Sequence, residues 1–377
     1  MFEALRLWED RLFKFGEAFR YQYVISREQE DVPSFSKQST QDWNAYVGKD
    51  LPVTRLLDNK GHKIGYVLGI AVGPDGQITC EQSTLPLDAS APGFWTAFEQ
   101  FLLDVAGRYG FLLQAQSGAR FYTDPVGMIG CVYDAEGQRV AASPLMALKR
   151  PVIPNANYDF DVIEKHGGKL SLFHTVDARI RRLNPNYFLD LNSFEEVRFW
   201  PADENFSVVD GDVLATYDEI ASRASFNIGQ IVRNFDVALP VSGGQDSRLL
   251  LAFSQEHKEQ INQHYTHINN YATRRDAAIG RALCDNLGVP HEIHDRRDFR
   301  LPRWEWQIRR LLIVPPDMFS ADIAVRFRPY FQAWQAGLPE NAREKAADFM
   351  FLEIYYNATV GAIFPALWRN FNISPFN

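Results

Sequence analysis

Cysteine is scarce in this chain. Only Cys80, Cys131 and Cys284 occur in 377 residues, and none belongs to a C-x-x-C pair. That spacing excludes a disulfide framework, a zinc knuckle and sulfur-transfer chemistry built on paired thiols. Basic excess is also missing: 39 Lys and Arg stand against 47 Asp and Glu, a formal charge of −8. A nucleic-acid partner is not expected from that balance. No apolar run approaches the ~20 residues of a membrane span. The opening Met1-Phe-Glu-Ala-Leu-Arg has no long apolar core behind it, so no leader is expected and a reducing cytoplasm fits best. Apolar residues (46%) and aromatics (14%) suffice for sizeable cores, and the length suits two domains.

The stretch with the most chemistry is Val237-Ala-Leu-Pro-Val-Ser-Gly-Gly-Gln-Asp-Ser-Arg-Leu-Leu-Leu-Ala-Phe253. Val237 to Val241 reads as a buried strand. Ser242, Gly243 and Gly244 make a turn, and Asp246 and Ser247 open a helix. A glycine turn leading into a helix N-terminus is an anion site, because the first-turn N–H groups are unpaired and the macrodipole favours negative charge. Ser242 and Ser247 would add hydroxyl donors. Asp246 would repel a bare phosphate, which suggests a divalent cation, Mg²⁺, between it and pyrophosphate oxygens.

Along the rest of the chain the period of the apolar residues changes. Phe2 to Phe19 has helical periodicity, and Asp31 to Trp43 is polar and loop-like. Ile64 to Val72 reads as a strand, and Phe94 to Val105 as a helix of packing aromatics stopped at Gly107. From Arg108 the period is two, with short strands at Tyr109–Ala115, Ala119–Thr123, Gly130–Tyr133 and Arg139–Ala142. A short helix starts after Pro144. The boundary falls near Phe199-Trp-Pro201, giving domains 1–200 and 201–377. The second half alternates: helix Leu214–Val232, strand Val237–Val241, helix Asp246–Gln260, strand Ile261–His267, helix Asp276–Leu287 ended by Gly288, and strand Pro290–His294. Such alternation implies a parallel sheet with its ligand at the carboxyl ends of the strands. Tyr265, Thr266 and His267 would then flank an adenine.

Ser-Gly-Gly-x-Asp-Ser between strand and helix resembles the pyrophosphate loop of the ATP pyrophosphatases, a group that includes asparagine, argininosuccinate, GMP and NAD synthetases. It lacks the Lys-Ser/Thr ending of a Walker A loop. The order of the halves narrows the resemblance to asparagine synthetase-like proteins, over roughly residues 60 to 300 and again about 345 to 377. Phe121-Tyr-Thr-Asp-Pro-Val-Gly127 with Val140-Ala-Ala-Ser-Pro144, Arg181-Arg-Leu-Asn-Pro-Asn-Tyr-Phe-Leu189, and Thr266 followed by Asp276 carry it. The resemblance implies an N-terminal nucleophile (Ntn) glutaminase-like αββα sandwich, class α+β, followed by an α/β Rossmann-like synthetase domain. It also implies ATP and Mg²⁺ as cofactors, with Ser242, Gly243, Gly244, Asp246, Ser247 and Thr266 at the nucleotide and Asp246 at the metal. Arg248, where housekeeping asparagine synthetases usually carry a second serine, is similar to diverged relatives in polysaccharide and natural-product pathways.

Several positions depart from the family. Phe2 stands where the glutaminase has its cysteine nucleophile. Ala106-Gly-Arg-Tyr-Gly-Phe111 replaces the segment whose acid holds the glutamine amine. Glutamine hydrolysis is therefore not expected. Of the second synthetase signature only Phe319-Ser-Ala-Asp-Ile323 remains, with Asp322 a weak stand-in. Ser374-Pro-Phe-Asn377 matches an element that precedes the family's pyrophosphate-neutralising lysine. His264, His267, His291 and His294 are read as strand-end residues rather than a metal set, since residues three apart on a strand face opposite sides. Arg274-Arg275 and Arg296-Arg297 are read as solvated charge, and Arg303 to Arg310 as packing. The resulting expectation is an amide-forming ligase acting on a small-molecule or peptide carboxylate and an amine, with a homodimer as the expected assembly. The alternative is a catalytically silent relative that binds nucleotide or a partner protein as a scaffold.

Overall fold

The structure, a computed structural model, describes residues 15–161, 170, 172–202, 212–268, 270–295, 321–343, 345–350 and 352–354. Over these residues the chain divides into two compact units. One is drawn from the described residues within 15–71, 78–202 and 321–354, the other from those within 72–77 and 212–295. The described residues between 321 and 354 fall in the first unit.

In chain order the strands of the first half are β1 (Tyr23–Ser26), β2 (Phe35–Ser39), β3 (Asn44–Gly48), β4 (Val53–Leu57), β5 (Lys63–Gly73), β6 (Gly76–Gln77) and β7 (Gln82–Thr84). They continue with β8 (Ala106–Ala115), β9 (Gly118–Thr123), β10 (Val132–Asp134), β11 (Arg139–Ala141), β12 (Ile180–Arg182), β13 (Tyr187–Asp190) and β14 (Glu196–Arg198). Helices α1 (Phe15–Ala18), α2 (Phe94–Leu102) and α3 (Pro144–Ala147) accompany them. One sheet runs β12-β10-β11-β1-β3-β2, and the other β14-β13-β9-β8-β5-β4-β7 with β6 on β5. The second sheet is mixed, because β4 and β7 pair in parallel.

Period-two alternation sorts the side chains into layers. Tyr23 and Ile25 of β1 share a core with Tyr66 and Leu68 of β5 and with Ala119 and Phe121 of β9, so it lies between the two sheets. Val24 of β1 turns the other way, onto α1 and α3. Tyr109 and Phe111 of β8 and Tyr122 of β9 turn onto α2, whose Phe94, Trp95, Phe98 and Leu102 are buried at helical spacing.

Two expectations are corrected in this half. Asp31 to Trp43 is not all loop: Phe35–Ser39 pairs antiparallel with β3 as an edge strand, where half-exposed polar residues are tolerated. Gly107 does not stop a helix. Helix α2 ends at Leu102, and Gly107 lies in β8 with φ +127°, where a Cβ would sit 2.3 Å from the Ile70 carbonyl oxygen.

The second unit alternates as expected: α4 (Val213–Val232), β15 (Ala238–Pro240), α5 (Gln245–Phe253), β16 (Gln263–Ile268), α6 (Tyr271–Leu287) and β17 (Glu292–Asp295). Strands β15, β16 and β17 form one parallel sheet in that order, with Leu239 opposite His264 and Thr266 opposite Ile293. Val232, Leu239, Val241, Leu251, Ile261, Cys284 and Val289 make its core. The helix expected to reach Gln260 ends at Phe253, and Gln255–Gln260 is a 3₁₀ turn. Helix α6 starts earlier than expected, at a capping box between Asn270 and Thr273, and stops at Gly288 in the left-handed conformation. Phe2, the Phe319–Ile323 side chains, Arg296-Arg297, Arg303–Arg310 and Ser374–Asn377 lie outside the described residues.

Candidate anion site at the end of β15

Strand β15 hands the chain to a turn at its carboxyl end. The buried Val241 donates its N–H to the Tyr265 carbonyl at 2.7 Å, the last ladder bond before the turn. Ser242, Gly243 and Gly244 follow, and α5 starts at Gln245 with Gly244 as N-cap and no side chain capping it. The helix N-terminus therefore keeps its donors for something other than its own side chains. Asp246 is exposed in the first turn.

Ser242 and Ser247 close the loop on itself. Their hydroxyls lie 2.8 Å apart, Ser247 Oγ accepts the Ser242 N–H at 3.1 Å, and Ser242 Oγ accepts the Gly244 N–H at 3.1 Å. From the sequence both serines are expected to add hydroxyl donors to the anion site. Here they set the shape of the turn and take up the Ser242 and Gly244 N–H groups, and the donors left without a side-chain cap are those of the first turn of α5. A Cβ on Gly243 would meet Ile279 Cδ1 at 2.7 Å and Asp276 Oδ1 at 2.8 Å, so α6 leans against the turn and brings a second carboxylate beside it. Gly244 has ordinary φ −67° and ψ 152° and is exposed, so its hydrogen matters for what approaches rather than for the backbone.

Thr266 is the residue of β16 expected to flank an adenine. It is 4% exposed, and its hydroxyl contacts both the Val241 carbonyl oxygen and, at 2.8 Å, His291 Nε2. Thr266 lies beneath the turn. His291 is the partner the sequence reading missed; its position just before β17, level with the start of β16, was the available signal. Tyr265 is half-buried and packs edge-on against His294, ring centroids 5.5 Å apart.

The four histidines fall in two cross-strand pairs, His267 opposite His294 and His264 level with His291. Among the described residues no group of three or more His, Cys, Asp or Glu could hold a metal ion. Asp246 is the carboxylate that the loop itself offers. Magnesium commonly needs only one or two carboxylates besides the phosphate oxygens of its nucleotide, so this donor set fits it.

In the first unit, Asp124 of the Phe121–Gly127 segment is fully buried and accepts N–H bonds from Met128 at 2.7 Å and Ile129 at 2.9 Å. Burial raises its pKa to about 6, against those N–H bonds and the Arg108 charge. Burial also lowers Arg108 to about 9. The charges of the two buried groups favour one another's ionised forms. Cys131 is buried as well, and burial pushes its thiol far above the range in which a thiolate forms. Compared with known proteins, the chain matches no family model and no curated protein.

Proposed function

We propose that the protein is an ATP-dependent ligase that forms an amide through an acyl adenylate and does not itself hydrolyse glutamine. In this reading the two-sheet unit is an Ntn glutaminase-like αββα sandwich, and the parallel-sheet unit is an adenine-nucleotide-binding Rossmann-like domain of the asparagine synthetase type. One observation carries the proposal: an uncapped helix N-terminus, reached through Ser242-Gly-Gly244, at the carboxyl end of a parallel strand with one exposed acid in its first turn. The first-turn N–H groups of α5 receive the β- and γ-phosphates there, and Gly243 and Gly244 admit them at close range. Bound magnesium would neutralise phosphate charge beside Asp246.

The chain's own contribution is to orient the α-phosphate toward the carboxylate substrate. The carboxylate oxygen forms a bond to the α-phosphorus, and the bond from that phosphorus to the pyrophosphate oxygen breaks. Loop donors are worth most as charge gathers on the departing pyrophosphate. The amine then attacks the acyl carbon, AMP leaves with the bonding pair, and the ammonium proton passes to solvent. Candidate substrates are a small-molecule or peptide carboxylate and ammonia, an amino sugar or a peptide amine.

The test is pyrophosphate–ATP exchange. With the correct carboxylate present, labelled pyrophosphate enters ATP only if the adenylate forms reversibly. ATP·Mg²⁺ binding with no exchange across a broad panel of carboxylic acids would favour the silent, nucleotide-binding scaffold instead.

A further inference from the structure

Three polar atoms, from the residue after β15, from within β16 and from the residue before β17, converge on one glycine. A Cβ on Gly280 of α6 would lie 2.7 Å from Thr266 Oγ1, 2.8 Å from the Val241 carbonyl oxygen and 3.2 Å from His291 Nε2. Only a glycine lets the helix backbone close over this junction without displacing it.

The proton positions follow from the inventory of donors. A threonine hydroxyl has one proton, and a carbonyl can only accept. The Thr266 proton therefore goes to Val241, and the contact with His291 requires the ring to donate from Nε2. His291 Nδ1 is buried with no hydrogen-bond partner. A proton there would be a buried donor left unsatisfied, which is costly. The ring is accordingly the neutral Nε2–H tautomer. Burial, and then the nearby Arg281 charge, also hold its pKa down, against Asp285.

The Val241 carbonyl and the Ser242 N–H belong to one planar peptide, so fixing one fixes the other. That N–H donates to Ser247 Oγ, which meets Ser242 Oγ, which accepts from the Gly244 N–H. We propose that His291 is a positioning residue for the Ser242–Ser247 loop. It acts through Thr266 and the Val241–Ser242 peptide along a continuous hydrogen-bond relay running from the start of β17 to the N-cap of α5. The relay holds the turn in its anion-receiving shape before any ligand arrives. Its consequence for nucleotide affinity rests on the ligase reading; the relay itself does not.

Two measurements test it. Long-range ¹H–¹⁵N correlation of the His291 ring in the wild-type protein at neutral pH should show the Nε2–H tautomer; an Nδ1–H ring or an imidazolium would overturn the relay. Amide exchange at Ser242 and Gly244 should be about fivefold faster in Thr266→Val and His291→Met. Exchange should return toward wild type in Thr266→Ser and His291→Gln, which keep a hydroxyl and an N–H donor. Unchanged exchange at Ser242 in both disruptive variants would overturn the proposal. If either disruptive variant fails to fold, the wild-type tautomer still decides. Calorimetry with ATP·Mg²⁺ on the same proteins separates the two readings: a relay that governs exchange in a protein that binds no nucleotide would sink the ligase and leave the relay standing.

Discussion

Glu353 receives both terminal nitrogens of the Arg198 guanidinium, at 2.6 and 3.0 Å, with its carboxylate wholly buried. The same carboxylate accepts from Asn184 Nδ2 at 2.7 Å, Asn186 Nδ2 at 2.8 Å and Trp334 Nε1 at 2.7 Å. A buried carboxylate with this many donors is satisfied, and it ties residues far apart in sequence to the Asn184-Pro-Asn186 turn before β13.

Removing that carboxylate should therefore be severe. Glu353→Ala leaves the Arg198 charge buried without its counter-ion, and breaking a buried pair from one side costs about 3–5 kcal/mol. Urea unfolding followed by tryptophan fluorescence should show the loss, and a change within ±0.5 kcal/mol, the range of ordinary surface substitutions, would mean that the cluster contributes little. Replacing Phe98, which packs edge-on against Phe111 and Tyr122 with centroids 5.3 and 5.1 Å away, tests the outer layer in the same assay. Phe98→Ala should cost about 3–5 kcal/mol by creating a cavity.

The two glycines of the candidate site should part company on substitution. Gly243→Val places branched atoms against Ile279 and Asp276 and should lower the melting temperature of the second unit. Gly244→Ala meets Ser242 Oγ at 3.2 Å and Ser247 Oγ at 4.0 Å in an ordinary backbone conformation, so its stability cost should stay under about 1 kcal/mol. Its new methyl group nevertheless stands where a phosphate must approach, and ATP·Mg²⁺ affinity should fall about tenfold. Calorimetry beside thermal melting on both variants separates the effects, and full ATP affinity in Gly244→Ala would refute phosphate binding at this turn.

Asp246→Asn probes the cation. One charge-assisted contact is worth about 1.5–3 kcal/mol, so ATP affinity in Mg²⁺ should drop roughly tenfold to a hundredfold. AMP, which has no pyrophosphate for a metal to bridge, should bind as to wild type. Equal losses for ATP and AMP would show that Asp246 acts on the loop and not on a metal.

What the sequence made legible, and what it did not, follows from the range of the interactions. Strand β15, its glycine turn and α5 are local: apolar run, turn residues and helix start sit within Val237–Phe253, and the structure places them there. The period-two strands around β8 and β9 are equally local. The edge strand β2 was missed because half-exposed edge residues such as Ser36, Lys37 and Gln38 carry no apolar alternation. Gly107 was misread because its reason is a carbonyl on another strand, at Ile70. Neither the His291–Thr266 contact, 25 residues apart, nor the Glu353 cluster, whose Arg198 pair spans 155, leaves any local pattern. Both depend on topology bringing strand ends or distant segments together.

His174 should give the first unit a dependence on acid. Its Nδ1 lies 3.1 Å from the Tyr158 hydroxyl, and the Tyr330 ring stands edge-on at 4.9 Å. Burial, with a smaller push from the Arg181 charge, lowers its pKa from 6.5 to about 4. The folded state therefore favours the neutral ring more than the unfolded chain does. Its contribution is complete above pH 6.5, shrinks as the unfolded chain takes up the proton, and is lost as pH falls through about 4. Asp124 works in the opposite sense: its pKa, raised from 3.8 to about 6, makes the folded state relatively better as pH falls through that window. Total stability thus mixes the two, and the informative quantity is a difference between variants. His174→Phe keeps an aromatic ring but cannot take the proton, so its stability relative to wild type should improve steadily from pH 6.5 down to pH 4. Urea midpoints for both proteins across that range provide the check, and a difference that stays constant would show that burial does not depress His174.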